Sequence, residues 1–272
     1  MRSLFLSDLH IGSVDFNYER FEAFIDRADL KGIERLFLVG DILDLRYLRR
    51  RRESRLAHYA SLEKLAMIAL SMPTTYLWGN HDPEIERLMS STWAADGRIG
   101  NVALARRQLH SLADGRSMLI LHGDEMDRDL RIGISKSVVN RVTRYYYALL
   151  KLDRILFRLR SAVFRDAQAW MPRIKRLSRR WTDYVRKFED AIAKAGQEVG
   201  VDVVLCGHIH VPTMRRIGSV LYINCGDWVE HCTAVVEDDD GSLRLLDWKG
   251  NTLMRCVDCE SIEEGERLSW NA

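Results

Sequence analysis

No apolar run in the 272 residues approaches the ~20 that a membrane-spanning helix needs, so the chain is not integral to a bilayer, although it could lie on one. The N-terminus lacks the apolar core of a signal peptide, because Leu4-Phe5-Leu6 is cut short by Asp8 and His10. Charge of one sign is not in excess: 41 Lys and Arg face 39 Asp and Glu, and the net +2 dictates no partner by itself. Disulfide spacing is absent. The five cysteines, Cys206, Cys225, Cys232, Cys256 and Cys259, follow no framework, and the lone C-x-x-C of Cys256 and Cys259 has no second pair to complete a zinc site. Free thiols suit a reducing cytoplasm, the expected location. What remains is ordinary globular material, 47% apolar and 29% charged, in a length that suits one domain over residues 1–272 with room for an insertion.

Five short apolar runs each end in a polar motif. Leu4-Phe5-Leu6 runs into Ser7-Asp8-Leu9-His10, and Leu36-Phe37-Leu38-Val39 into Gly40-Asp41. Thr75-Tyr76-Leu77-Trp78 runs into Gly79-Asn80-His81-Asp82, Met118-Leu119-Ile120-Leu121 into His122-Gly123-Asp124, and Val203-Val204-Leu205-Cys206 into Gly207-His208-Ile209-His210. Such runs read as buried strands. Phe21, Phe24, Ile25 and Ala28 follow the spacing of one buried helix face. Strands alternating with helices predict α/β architecture, with ligands beyond the carboxyl ends of the strands, where all five motifs stand. Beyond about Gly218, Val220–Ile223, Thr233–Val236 and Leu243–Leu246 read as successive strands, turning at Gly226 and Asp240-Gly241, in a second sheet packed on the first. The tail from about Asp258 is polar and reads as poorly ordered.

Residues 128–194 interrupt this scheme. They hold no strand run and read as a helical insertion over the site, with 18 Lys or Arg against 6 Asp or Glu. Val142, Tyr145, Leu149, Leu152, Leu156, Leu159 and Val163 form one apolar stripe, and Arg144, Lys151, Arg154, Arg158 and Arg165 lie opposite it. Two readings fit: an apolar surface for lipid with a membrane-facing cationic side, or a cap packed on the core with solvated arginines. The run Arg49–Arg52 fits the same cationic face or a solvated helix surface.

The motifs carry the donor atoms of a metal site. Asp8 and His10, one residue apart at a strand end, can turn to one ion. Asp41 has two oxygens and can bridge two. Asn80 offers an amide oxygen, and His122, His208 and His210 offer ring nitrogens. Oxygen and imidazole donors together suit Mn, Fe or Zn better than Ca or Mg, and the set suffices for two divalent ions sharing Asp41. Each motif alone is an ordinary turn or cap, but five in order, each after a strand, are hard to explain structurally. His58, His110 and His231 lie outside the motifs and read as structural.

Taken together, these motifs resemble those of the calcineurin-like metallophosphoesterases, over roughly the first 230 residues apart from the insertion. The resemblance implies a four-layer αββα sandwich of two mixed sheets. It implies one ion, most often manganese, held by Asp8, His10, Asp41 and His210, and another held by Asp41, Asn80, His122 and His208. His81 would act as the catalytic proton donor or charge stabiliser, and Asp82 would orient His81 or its loop. Within that family, His122-Gly123-Asp124-Glu125-Met126-Asp127 leading into a basic insertion, and Cys225-Gly226-Asp227-Trp228 after the last site-forming strand, resemble the UDP-2,3-diacylglucosamine hydrolases of lipid A synthesis. This narrower likeness implies pyrophosphate cleavage in a nucleotide-linked lipid, peripheral contact with the inner face of the membrane, and substrate contacts from Asp124, Asp127, Asp129, Leu152, Leu156, Arg154 and Arg158. One departure stands out: the best-known form of those hydrolases has Arg where this chain has His81. Histidine is the usual residue where an alkoxide must be protonated, so a broad phosphodiesterase or a protein phosphatase stays open. A nuclease gripping nucleic acid through the insertion, and a metal-dependent scaffold, are the less favoured alternatives. Oligomeric state is not legible.

Overall fold

The computed structural model describes residues 1–27, 30, 32–44, 55–83, 85, 87, 97–126 and 179–256. The chain separates into two compact units, Met1–Glu125 with Asp190–Gly265, and Met126–Glu189 with Glu266–Ala272. The described residues belong to the first unit, apart from Met126 and residues 179–189.

The predicted strands form: β1 (Ser3–Leu6), β2 (Arg35–Val39), β3 (Thr74–Leu77), β7 (Ser117–Leu121) and β8 (Val203–Cys206). Around them stand β4 (Arg98–Ile99), β5 (Val102–Ala105), β6 (Arg107–Ser111), β9 (Thr213–Ile217), β10 (Val220–Asn224), β11 (Thr233–Glu237), β12 (Leu243–Asp247) and β13 (Thr252–Cys256). Three helices are described: α1 (Tyr18–Ile25), α2 (Arg55–Ser71) and α3 (Arg179–Val199). An eight-stranded sheet runs β13-β12-β11-β1-β2-β3-β5-β4, and a five-stranded sheet runs β6-β7-β8-β10-β9. Both are mixed. β1, β2, β3 and β5 are parallel, as are β7, β8 and β10, while the outer strands pair antiparallel.

Alternation along the central strands explains the layers. Leu4, Leu6, Leu36 and Leu38 point to the face that α1 covers with Phe21 and Phe24, in a cluster that includes Trp228. Phe5, Phe37 and Val39 point the other way, into a second cluster with Met118, Ile120, Val203, Leu205, Leu221 and Ile223 of the smaller sheet. Phe5 stacks on Phe37 at 4.9 Å. Each such side chain, once buried, contributes about 1.5–3 kcal/mol. On the far face of the smaller sheet, α3 comes close at Gly196, where a Cβ would sit 3.3 Å from Val204 and Val220. The order of layers is helix, sheet, sheet, helix, the αββα sandwich. Asn17 starts α1 by accepting the Arg20 N–H, with Glu19 in the first turn. Phe21 and Phe24 are buried and Ile25 packs beside them, while Ala28 lies outside the described residues.

One expectation is corrected. The three strand runs after Gly218 do not form a sheet of their own. β10 joins the smaller sheet beside β8, whereas β11 crosses back to pair with β1 in the larger one and β12 pairs with β11. Buried on both faces, these runs carry no mark of which sheet they will join. Of the predicted insertion, residues 179–194 are described and are helical, continuing to Val199. Its apolar stripe and basic face, the Arg49–Arg52 run, and the tail from 257 lie outside the described residues. No described helix is long and apolar enough to cross a membrane.

Candidate metal centre

Parallel strands β1, β2 and β3 of the large sheet and β7 and β8 of the small sheet deliver their carboxyl ends to one place. The turns there are tied together by backbone bonds: Asp8 N–H to Gly40 O, His10 N–H to Asp41 O, Gly207 N–H to His122 O and Trp228 N–H to Asp8 O. Six non-glycine residues among those described have φ in the left-handed region. Five of them are Asp8 (51°), His10 (50°), Asp41 (52°), His208 (69°) and His210 (55°); the sixth is Cys232. A conformation that costs on the order of 1 kcal/mol or more per residue thus recurs at five candidate ligands. Close packing is also built in: a Cβ on Gly79 would overlap Asp41 Oδ1 and the His122 ring, and one on Gly207 would overlap Ser7 and Asp8.

Three groups of donor atoms result among the described residues, each with its atoms within 4.8 Å of one another: Asp8, His10 and His210; Asp41, His122 and His208; and His10, Asp44 and His81 at the exposed rim. His210 Nε2 lies 3.1 Å from Asp8 Oδ1, His10 Nε2 3.9 Å from the same oxygen, and His122 Nε2 3.3 Å from Asp41 Oδ2. Asn80 sits at the turn after β3, exposed beside His81. The donors fit divalent ions by a direct criterion. Asp8 Oδ1, His10 Nε2 and His122 Nε2 are buried without a well-formed hydrogen bond and face only other donors of the site, a cost of about 1–3 kcal/mol each unless a cation takes their lone pairs. The His122 tautomer agrees. Its Nδ1 lies 3.0 Å from Val39 O, a carbonyl that can only accept, so the proton sits on Nδ1 and Nε2 presents a lone pair to Asp41. Asp8 Oδ2 is held by Ser7 Oγ and the His208 N–H, and Asp41 Oδ1 by the His81 N–H at 2.8 Å.

The electrostatics describe a hole shaped for positive charge. Burial pushes the His122 imidazole down, but Asp41, Asp8 and Asp124 outweigh it and raise the group to about 10. Burial pushes Asp8 and Asp41 up, yet the neighbouring imidazoles hold both below the usual carboxylate range, His210 and His122 for Asp8, chiefly His122 for Asp41. Burial takes His10 down to about 4, with His210 and His81 adding to it. The carboxylates that favour positive charge on His122 would equally favour a metal cation beside its Nε2.

His81 is half exposed, and its ring stands edge-on to His10 at 4.9 Å. Burial lowers its basicity, but Asp44, Asp41 and Asp8 more than compensate and raise it. Its partner is Asp44, whose Oδ2 lies 3.4 Å from His81 Nδ1 and 3.9 Å from His10 Nδ1. The sequence reading missed Asp44. Its one signal is a second carboxylate three residues after Asp41, on the same loop. Asp82 orients the loop and not His81: it accepts from Gly79 N–H, Leu43 N–H and the Tyr76 hydroxyl, and burial with Asp41 nearby pushes its carboxyl up to about 6.

Of the residues expected on the substrate side, Asp124 alone is described; Asp127, Asp129, Leu152, Arg154, Leu156 and Arg158 lie outside the described residues. Asp124 Oδ2 pairs with Arg106 at 2.7 Å, and its Oδ1 is buried without a hydrogen-bond partner. Arg106 also donates to Trp78 O, bracing the end of β3 against the His122 turn. Arg106, too, was absent from the sequence reading. His58 accepts from Gly12 N–H, His110 bonds Glu237 and His231 bonds Asp227, all structural contacts.

Comparison with known proteins adds the family. The model of the calcineurin-like phosphoesterases matches residues 1–212. No curated protein matches the chain. Similar solved structures include the phosphoesterase Yfce from E. coli, 15% identical over 94% of this chain and 98% of that one, with a TM-score of 0.47. A dimetal phosphatase from Danio rerio is 13% identical over 89% and 94%, TM-score 0.48, and an archaeal phosphodiesterase is 15% identical over 90% and 98%, TM-score 0.41. At this similarity none of them speaks to this chain's substrate. The matched span takes in every donor from Asp8 to His210, and the chain accordingly belongs to the calcineurin-like phosphoesterases, metal-dependent hydrolases of phosphate esters.

Proposed function

We propose that the chain cleaves the pyrophosphate of UDP-2,3-diacylglucosamine, giving UMP and 2,3-diacylglucosamine 1-phosphate, at the cytoplasmic face of a membrane. The observation that carries this reading is the composition of the chain just beyond the fourth donor motif. His122-Gly123-Asp124-Glu125-Met126-Asp127 leads directly into a stretch of 18 basic and 6 acidic residues with an apolar stripe, a composition suited to acyl chains and anionic lipid.

In this reading one divalent ion, manganese by preference, is held by Asp8, His10, Asp41 and His210, and a second by Asp41, Asn80, His122 and His208. Two ions so held would supply an acidified water as nucleophile and positive charge for the phosphoryl oxygens. Asp41, which stands in the group with His122 and His208, is the carboxylate that would serve both ions. His81 offers a proton or a positive charge at the departing oxygen. Asp44 is a positioning residue, holding the His81 ring by Nδ1 so that Nε2 is left for substrate. Asp124, Asp127, Asp129, Leu152, Leu156, Arg154 and Arg158 contact the lipid nucleotide or the bilayer. The Asp44–His81 pair also favours a second reading. A proton donor suits an alkoxide leaving group, as in a broad phosphodiesterase or phosphatase, more than it suits pyrophosphate.

The test offers Mn-loaded protein UDP-2,3-diacylglucosamine in detergent beside a soluble chromogenic diester, with products identified by mass spectrometry. UMP and lipid phosphate, released faster than the diester turns over, are expected. Diester turnover without UMP would overturn the substrate and leave the second reading. Leu152→Ser with Leu156→Ser should impair the lipid substrate alone; equal loss on both substrates, with a lowered melting temperature, would make the stripe a core element.

A further inference from the structure

The far ends of β2 and β3, away from the donor clusters, carry a second concavity. Arg35 opens β2 and Thr74 opens β3, and between them and the edge strands β4, β5 and β6 lies a cavity of about 140 Å³. We infer that this cavity is a binding site for a small phosphate-bearing anion. Its polar lining comes from Arg35, Arg98, Thr75, Asn101, Gln108 and His110, and none of the described lining residues is acidic.

Two features set the sign of the ligand. The first is the supply of donors. Guanidinium and hydroxyl groups are the chemistry that recognises phosphate oxygens; Asn101 Nδ2 and Gln108 Nε2 already donate to Leu70 O and Leu109 O, and Arg98 Nη2 to Asn101 O, so Arg35 and the Thr75 hydroxyl lead. The second is the chain of contacts behind the wall. Arg35 Nη1 lies 3.5 Å from His110 Nδ1, and His110 Nε2 lies 2.8 Å from Glu237 Oε2. Arginine can only donate, so His110 accepts at Nδ1 and carries its proton on Nε2, directed at Glu237. Glu237 is fully buried and already satisfied, taking Ser3 Oγ at 2.6 Å and the Ala113 N–H at 2.9 Å as well as His110. Its charge is consumed by those three donors and does not serve as a counter-ion in the cavity. Arg35 touches a neutral ring nitrogen and keeps further N–H groups for a ligand.

Size narrows the class. A volume of about 140 Å³ admits a phosphate group with a few attached carbons. Phe37, Ala103 and Leu109 supply an apolar flank that an ester group would meet.

Calorimetric titration of the metal-loaded full chain, at fixed ionic strength, uses inorganic phosphate and methylphosphonate, a mimic of a phosphomonoester that cannot be hydrolysed. Two sites are expected for the wild type. One should persist in Asp41→Ala, which lacks the metal pair. In Arg35→Gln with Arg98→Gln that same site should weaken at least tenfold, with diester turnover and melting temperature close to wild type. Thr75→Val keeps the charge and should weaken it severalfold, so the inference stays testable if the double variant folds poorly. Tighter binding of methylphosphonate marks an ester as the ligand and tighter binding of phosphate marks the free ion; both uphold the site. Unchanged binding in both Thr75→Val and the arginine variant, complete loss in Asp41→Ala, or equal weak binding of phosphate, sulfate and chloride would overturn it.

Discussion

Gly79 offers a test of the packing that brings the metal donors together. It has an ordinary φ, so alanine suits its backbone, and only space forbids the change. The added Cβ would fall on Asp41 Oδ1 and on Cδ2 and Nε2 of His122. Neither can swing aside freely. Asp41 Oδ1 holds the His81 N–H at 2.8 Å, and His122 Nδ1 holds Val39 O at 3.0 Å. Overpacking of this kind costs about 1–3 kcal/mol, and the hydrogen bond that yields adds about 1 kcal/mol. For a domain of this size each kcal/mol lowers the melting temperature by about 2–4 °C, so Gly79→Ala should melt roughly 4–16 °C below wild type. Because the displaced atoms are the donors themselves, metal stoichiometry by elemental analysis should fall as well. Gly32→Ala, where an added Cβ meets nothing within 4 Å, serves as control and should be neutral. If Gly79→Ala melts with the wild type and binds two metals per chain, the closeness of Asp41 and His122 to Gly79 is wrong, and with it the shared-carboxylate site.

Three further expectations rest on the same geometry. Asp41→Ala should remove bound metal and activity together, since one carboxylate serves both ions; two metals per chain with near-normal turnover would refute the bridging role. His81→Ala should keep its metal but lose turnover on the order of 100-fold, and Asp44→Asn should lose less while shifting the pH profile of kcat, a change that a purely structural residue would not produce. Burial pushes the Asp227 carboxyl up, but His231, His210 and the Glu230 N–H pull it well below its ordinary 3.8, so it contributes stability that is present above that pH and lost as the pH falls below it. Denaturant titrations should therefore show Asp227→Asn losing less stability than wild type between neutral pH and about pH 3; parallel curves would contradict this.

The sandwich was legible because five apolar runs each stopped at a donor motif, and period-two alternation in Leu4-Phe5-Leu6 already implies two covered faces. Convergence of parallel strand ends made it readable that the donor motifs meet; which donors stand with which, Asp8 with His10 and His210 and Asp41 with His122 and His208, came only from the family resemblance. What escaped were residues whose roles depend on register. Arg106 follows β5, a half-exposed strand with no strong run, and nothing local shows that it will meet Asp124. Asp44 looks like any loop carboxylate until the turn after β2 brings it to His81. The partition of β10 from β11 depends on a crossing at Gly226 and Asp227 that apolar runs do not record.

The left-handed backbone at Asp8, His10, Asp41, His208 and His210 also bears on how this chain can change. Glycine adopts that conformation without strain, so a fold under selection for stability alone would drift toward glycine at all five positions and would shed buried charge in doing so. The most durable version of this scaffold is one that has forgotten its chemistry. Retired copies of such a domain, freed from turnover and kept only as rigid surfaces, have an easy downhill route, and the loss of these side chains would be its first trace.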